Sequence, residues 1–251
     1  MSTQPREINW ADGEGYNRYI REELRSFRRD AWKKQIGRRV RPEAGQRILD
    51  VGTGPGFFAC ILAEEGFNVT AIDNSDAMLT CAASNAKALG VAPDFIKMDL
   101  EEMSFPDESF AAVICRNVTW TLRNPEKTYR DFYRLLKPGG ALLIYDANWH
   151  MHFFDDGLYA KVRERERQCL RRFGRDEIVA VGSPGMFREA PLTSTPRPAW
   201  DKAMLETLRM DVSVTEDVGR DVYEPWEKYL YAESPLFEIY GVKTAPGRDC
   251  P

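Results

Sequence analysis

The residues Arg47-Ile48-Leu49-Asp50-Val51-Gly52-Thr53-Gly54-Pro55-Gly56-Phe57-Phe58 decide how this chain folds. Ile48 to Val51 is a short apolar run between polar residues and glycine, the pattern of a strand buried inside a parallel sheet. Glycines alternate at 52, 54 and 56, and the apolar stretch Phe57 to Ala63 ends at Glu64-Glu65-Gly66, where Gly66 can cap a helix. Strand, glycine turn and helix in succession bring bare backbone N–H groups and the positive end of a helix beside a bound ligand. A dinucleotide site needs G-x-G-x-x-G. Counted from Gly52, the last glycine of that pattern falls on Phe57, so the dinucleotide reading fails.

Downstream, strands and helices alternate. Asn68 to Asp73 reads as a second strand, followed by a helix from Ala77 to Leu89 closed by Gly90. Asp94 to Asp99 is a third strand and Phe110 to Cys115 a fourth. Asn124 and Pro125 start a helix whose apolar face is Tyr129, Phe132, Tyr133 and Leu136, and which stops at Lys137-Pro138-Gly139-Gly140. A fifth strand, Ala141 to Tyr145, leads into Asp146-Ala147-Asn148-Trp149-His150. This alternation implies a parallel sheet with right-handed crossovers. Upstream, Ile20, Leu24, Phe27 and Ala31, then Trp32, Ile36 and Val40, predict one helix from Tyr16 to Val40, ended by Pro42. Nine arginines and lysines between Arg18 and Arg39 cover the rest of it. They read either as a solvated face or as a lid or surface for an acidic partner.

Asp50-x-Gly52-x-Gly54-x-Gly56, the acids ending the second and third strands, and Leu135-Leu136-Lys137-Pro138-Gly139-Gly140-Ala141-Leu142-Leu143-Ile144 occur in order across Arg47 to Trp149. Together they resemble the class I S-adenosylmethionine-dependent methyltransferases, in the small-molecule, type 11-like branch. The resemblance implies a Rossmann-like, doubly wound α/β fold: a seven-stranded, mostly parallel sheet with its last strand antiparallel. Met210 to Val218 and Leu236 to Lys243 are the segments available for the last two strands. A single domain over 1–251 is expected: an N-terminal arm and lid helix at 1–45, a cofactor-binding core at 46–150, a cap insertion at 151–209, and C-terminal strands and tail at 210–251. The cap holds a charged helix around Leu158 to Phe173, the proline- and glycine-rich stretch Gly182 to Pro198, and a short helix near Ala199 to Arg209. An excursion of this length is usually functional.

The expected cofactor is S-adenosyl-L-methionine, bound around Tyr19, Asp50, Gly52, Thr53, Gly54, Gly56, Asp73, Asn74, Met78, Asp99, Leu100, Asn117 and Val118. Asp73 lies about twenty residues past the glycines, where a carboxylate reaches ribose hydroxyls in βαβ nucleoside sites. It could instead cap the next helix, but Ser75 and Asp76 already suit that position. Met78 reads as an adenine contact or as core. By the resemblance, Asp99 accepts a hydrogen bond from the adenine amino group. Near the transferred methyl, the candidate catalytic residues are His150, Trp120 and Asp146, just past the fourth and fifth strands. Histidine has the right basicity for a general base, and His150 and His152 share a side if the chain stays extended. A loop role for both histidines stays open, as does core packing for Trp120 and Trp149. A third ligand is missing for a metal, so none is expected.

Bulk composition narrows the partners. Hydrophobic residues make up 43% of 251, ample for a core, and the net charge is −4. That balance gives no reason to expect nucleic acid or an anionic membrane. Cysteines at 60, 81, 115, 169 and 250, without C-x-x-C, read as reduced thiols. Met1 to Asn9 lacks the apolar core of a signal peptide, so a cytoplasmic location is expected. After the fourth strand stands Asn117-Val118-Thr119-Trp120, not the proline-containing motif of nucleic-acid amino-methylating enzymes of this fold. Methyl transfer to an O, N or S atom of a small-molecule acceptor is therefore expected; a non-methyl reaction at the same cofactor site, and a non-catalytic cofactor-binding protein with the basic helix as its interaction surface, are the alternatives, the intact Gly52, Gly54, Gly56 and Asp73 counting against the second.

Overall fold

The computed structural model describes residues 7–8, 13–43, 45–175, 180–181 and 190–244. Most of the expected N-terminal arm, the Gly182 to Pro198 stretch up to residue 189, and the tail from 245 lie outside them. Seven strands form the sheet: β1 (Arg47–Val51), β2 (Asn68–Asp73), β3 (Asp94–Lys97), β4 (Phe110–Arg116), β5 (Leu136–Asp146), β6 (Met210–Thr215) and β7 (Phe237–Lys243). Their order is β3-β2-β1-β4-β5-β7-β6. Strands β1 to β5 pair in parallel, and β7 runs antiparallel to both β5 and β6. This is the expected doubly wound sheet. Glu7–Ile8 and Ala180–Val181 add a small parallel ladder.

Successive strand residues point to opposite faces, so the sheet has a core on each side. Ile48, Ala112, Ile114, Leu143 and Tyr145 pack on one face with α1 (Gly13–Arg25), α2 (Arg28–Gly37) and α3 (Phe57–Glu64). Leu49, Val51, Val113, Leu142 and Ile144 pack on the other, where α5 (Pro125–Leu135) and α7 (Ala199–Thr207) contribute Tyr129, Phe132 and Leu205. Helix α4 (Asp76–Leu89) is capped by the Ser75 hydroxyl and ends at the left-handed Gly90, as expected. Helix α5 likewise has the Asn124 side chain on Lys127 N and Pro125 in its first turn. Three further helices are α6 (Asp156–Phe173), α8 (Gly219–Val222) and α9 (Pro225–Leu230).

Three expectations change. The helix predicted from Tyr16 to Val40 is two helices. Ser26 Oγ donates to Glu23 O at 3.0 Å and accepts from Arg28 N at 3.2 Å, so a serine competes with the helical backbone at the break. Strand β5 begins at Leu136, not Ala141. Lys137 to Gly140 continue the strand through an irregularity opposite Phe110 to Ala112. His150 and His152 do not share an extended face, because Met151–Phe154 turns as a 3₁₀ helix.

Much of the basic N-terminal surface is engaged within the chain. Arg28 pairs with Glu23 at 2.9 Å and Glu227 at 3.2 Å, and Arg39 pairs with Glu238 at 2.7 Å. Arg29 and Lys33 meet Glu64. Cys60, Cys81, Cys115 and Cys169 are free and buried. No helix among the described residues is long and apolar enough to cross a membrane.

Candidate cofactor and acceptor site

The carboxyl ends of β1, β2, β3 and β4 converge on a cavity of about 600 Å³. Its floor is the turn after β1. Gly52 and Gly54 have φ of +66° and +53°, the left-handed region that favours glycine. At Gly52 an added Cβ would lie 2.6 Å from Val118 Cγ2, so glycine lets the β1 and β4 turns touch. At Gly54 the nearest atom would be Tyr16 Cε1 at 3.5 Å, so that position opens on the cavity. Thr53 N donates to Ile72 O, and Thr53 Oγ1 donates to Asp50 Oδ2 at 2.6 Å, which holds the turn against β2. Burial pushes the Asp50 carboxyl up to about 6, against the opposing Thr53 hydroxyl.

Asp73 ends β2 beside this turn. Its Oδ2 accepts from Gly54 N and its Oδ1 from Ser75 N, both at 2.9 Å. Burial raises its pKa, opposed by these backbone N–H groups. Asp99 and Leu100 follow β3 on the same wall, with Asp99 Oδ1 accepting from Glu101 N at 2.8 Å. Across the cavity, Asn117 has φ of +57° and its amide nitrogen donates to Tyr145 O at 2.8 Å. Its side-chain Oδ1 is buried without a hydrogen-bond partner. A buried acceptor left unpaired costs about 1–3 kcal/mol, and a left-handed non-glycine residue adds strain. Both features at one cavity wall point to a ligand that completes them.

Ten of the expected cofactor residues line the cavity: Asp50, Gly52, Thr53, Gly54, Asp73, Asn74, Asp99, Leu100, Asn117 and Val118. Three stand elsewhere. Gly56 is where α3 meets α4, since a Cβ there would lie 2.9 Å from Ala82 Cβ. Met78 is buried in the core, 1% exposed. Tyr19 sits behind the wall, donating to Glu227 Oε1 and accepting from Arg28 Nη2, each at 2.6 Å.

Sequence reasoning missed Tyr16, Ile20 and Ala190, and took Arg116 only as part of a strand end. All four line the cavity. Arg116 makes a two-pronged pair with Glu23 at 2.6 and 2.9 Å and lies 4.4 Å from the Phe57 ring centroid. Burial would raise the Glu23 pKa, but Arg116 and Arg28 outweigh it and hold the carboxyl below its usual range. Helix α1 is thereby fastened over the cavity. No sequence spacing links residue 23 to residue 116.

The three expected catalytic residues do not line this cavity. Asp146 is 0% exposed and accepts from Thr119 Oγ1, Trp120 N, Ala147 N, Trp149 Nε1 and Arg197 Nη1 at 2.6–3.1 Å. Arg197, whose side chain is 0% exposed, reaches Asp201 as well. Asp146 is thus a hub holding the loops after β4 and β5. Trp120 is 3% exposed and packs on His150 at 4.6 Å between centroids. Burial pulls His150 down to about 3, with His152 adding to the effect, so its imidazole is neutral and weakly basic at neutral pH. Among the described residues no group of three His, Cys, Asp or Glu side chains could hold a metal ion.

The sheet order and the glycine floor define a Rossmann-like methyltransferase architecture. Residues 49–144 match the family described as "Methyltransferase domain". Residues 49–144 carry a class I S-adenosylmethionine-dependent methyltransferase domain, and the cofactor of such a domain is S-adenosylmethionine. It is similar to the demethylmenaquinone methyltransferase of Clavibacter sepedonicus, 36% identical over 116 residues, or 45% of this chain and 46% of that one. It is also similar to the sterol 24-C-methyltransferase of Yarrowia lipolytica, 27% identical over 233 residues, or 90% and 56%. The chain spans about half the length of these curated relatives. A solved S-adenosylmethionine-dependent methyltransferase from Aquifex aeolicus shares the fold, with a TM-score of 0.57 at 19% identity over 91% of this chain and 98% of that one.

Proposed function

We propose that the chain transfers a methyl group from S-adenosylmethionine to an O, N or S atom of a small molecule. The observation carrying this reading is the cavity itself, with a glycine floor, Asp73 on one wall and the unpartnered Asn117 Oδ1 on the other. Its volume falls within the range of about 300–1,000 Å³ usual for small-molecule and cofactor sites. In this reading Gly52 to Gly54 allow close backbone approach, Asp73 accepts from ribose hydroxyls, Asp99 and Leu100 flank the adenine, and Asn117 accepts from the amino-acid end. When bound, the cofactor supplies an electrophilic methyl on a sulfonium. The relatives named for demethylmenaquinone and sterol support a small organic acceptor; the sterol relative's name gives a carbon acceptor, so they support the class of molecule and not the O, N or S atom.

The protein's contribution is alignment and exclusion of water. Tyr16 and Ile20 of α1 close one side, held there by Glu23 on Arg116. Asp146 is committed to structure and His150 is weakly basic. The acceptor therefore reacts as an already deprotonated or neutral nucleophile, or loses its proton to water. Calorimetric titration with S-adenosylmethionine, its demethylated product and NAD tests the site; binding of the first two and not NAD is expected. A screen of quinone, sterol and amine acceptors with labelled methyl donor then tests the activity. Binding of NAD alone, or no label transferred to any acceptor, would count against the proposal.

A further inference from the structure

The segment after β5 presents an unusual surface. Phe153 and Phe154 are 48% and 47% exposed, Tyr159 is 38% and Leu170 48%. Three of the rings adjoin: the Phe153 and Tyr159 centroids are 6.3 Å apart, with His152 4.2 Å from Phe153, and Phe154 is the next residue along the chain. Exposed apolar residues scattered singly mean little, but a contiguous group marks a contact surface.

Helix α6 continues this surface. Its inner side packs on α9 and the turn after it, through Cys169 Sγ on Trp226 O at 3.8 Å and Arg165 on Tyr229 O at 3.2 Å and Glu233 at 2.8 Å. Residues spaced three and four apart on the other side form an outward stripe, Tyr159, Arg163, Arg167, Leu170 and Arg171, in which Arg163 pairs with Glu166 at 2.7 Å and Arg167 with Glu164 at 2.6 Å within the helix. Between residues 151 and 175 stand seven lysines and arginines against four acids. This stretch is positive in a chain whose net charge is −4. The bulk balance that gave no reason to expect a membrane conceals this local reversal.

Exposed aromatic rings beside arginines match a surface with two layers. Rings enter the headgroup level, while arginine stems lie along apolar surface and their heads reach phosphates. Acidic lipids add attraction for each basic side chain near the surface. An acidic protein would satisfy the arginines but would offer no apolar layer beneath its charges. We propose that Phe153, Phe154, Tyr159 and the outer stripe of α6 dock this protein on the surface of a bilayer containing anionic lipid. This does not rest on the identity of the acceptor.

The test is flotation of the full chain with vesicles of phosphatidylcholine alone and of phosphatidylcholine with phosphatidylglycerol. Recovery with the anionic vesicles only, lost at high salt, is expected. Two double variants follow, Phe153→Ser with Phe154→Ser and Arg167→Glu with Arg171→Glu. Each should weaken binding, the second by at least about fivefold per charge. S-adenosylmethionine affinity should stay unchanged, since none of these side chains lines the cavity; the aromatic variant should keep the unfolding midpoint, and the arginine variant should lower it only slightly, because Arg167 pairs with Glu164 on the exposed face and Arg171 lies in the last turn of α6. Equal recovery with both vesicle types, no recovery with either, or wild-type binding by either variant overturns the proposal. So does a chain that ignores vesicles but binds polyglutamate, or that dimerises through Phe153 and Phe154.

Discussion

Replacing Gly54 by alanine separates the two duties of the glycine turn, keeping the backbone in a rare conformation and leaving room for a ligand. At φ of +53° a Cβ costs about 1–2 kcal/mol in any fold. The protein itself tolerates the added atom, since its nearest neighbour is Tyr16 Cε1 at 3.5 Å, an ordinary contact. Stability should therefore fall by only about 1–2 kcal/mol. The Cβ instead stands in the cavity, where one extra carbon in a filled contact costs about 1–3 kcal/mol, or about 5- to 150-fold in Kd. Gly90→Ala is the matched control. Gly90 is also left-handed, with φ of +71° and nothing within 4 Å of an added Cβ, but it caps α4 away from the cavity. Urea unfolding should show similar losses for the two variants, and calorimetry should show weakened S-adenosylmethionine binding only for Gly54→Ala. If both bind equally well, the turn is not the cofactor floor.

Three further outcomes are expected. Asp50 in the fold holds its proton up to about pH 6, while the unfolded chain releases it near 3.8, so stability falls as pH rises between those values. Asp50→Asn should remove that slope and stabilise the protein above pH 6 by up to about 3 kcal/mol; parallel urea curves at pH 4 and pH 7 check it, and an unchanged slope would refute the burial argument. Arg197→Met leaves Asp146 and Asp201 buried without their cation and should cost about 3–5 kcal/mol; a thermal midpoint near wild type would mean that the pair is not buried as described. His150→Ala should leave the pH–rate profile unchanged between pH 5 and 8, because an imidazole pulled down to about 3 does not titrate there; loss of an ionisation in that window would restore His150 as a base.

Local signals in the chain carried the sheet and the glycine turn that floors the cavity. Ile48 to Val51, the alternating glycines, Ser75, Asn124 and Pro125 each act within a few residues, so turn, cap and strand could be read without knowing the rest. Ser26 is the local signal that was overlooked: its hydroxyl competes with helix bonds and divides α1 from α2. The surroundings of the residues after β4 and β5 were not legible, for a different reason. Asp146 looked like a base from its place after a strand, but five donors from residues 119 to 197 converge on it.

Sequence alone determined which backbone can approach a ligand, because the freedom to adopt the φ of +66° seen at Gly52 and +53° at Gly54 is a property of glycine. It also determined that a carboxylate, Asp73, ends β2 and that another, Asp99, stands just past β3, which stops at Lys97 rather than at Asp99 as expected. Only the tertiary structure decided which charges are free. Glu23 meets Arg116 across 93 residues, Arg197 meets Asp146 across 51, and Tyr19 meets Glu227 across 208. A buried charge must find a partner wherever the fold supplies one, and sequence distance carries no record of that pairing.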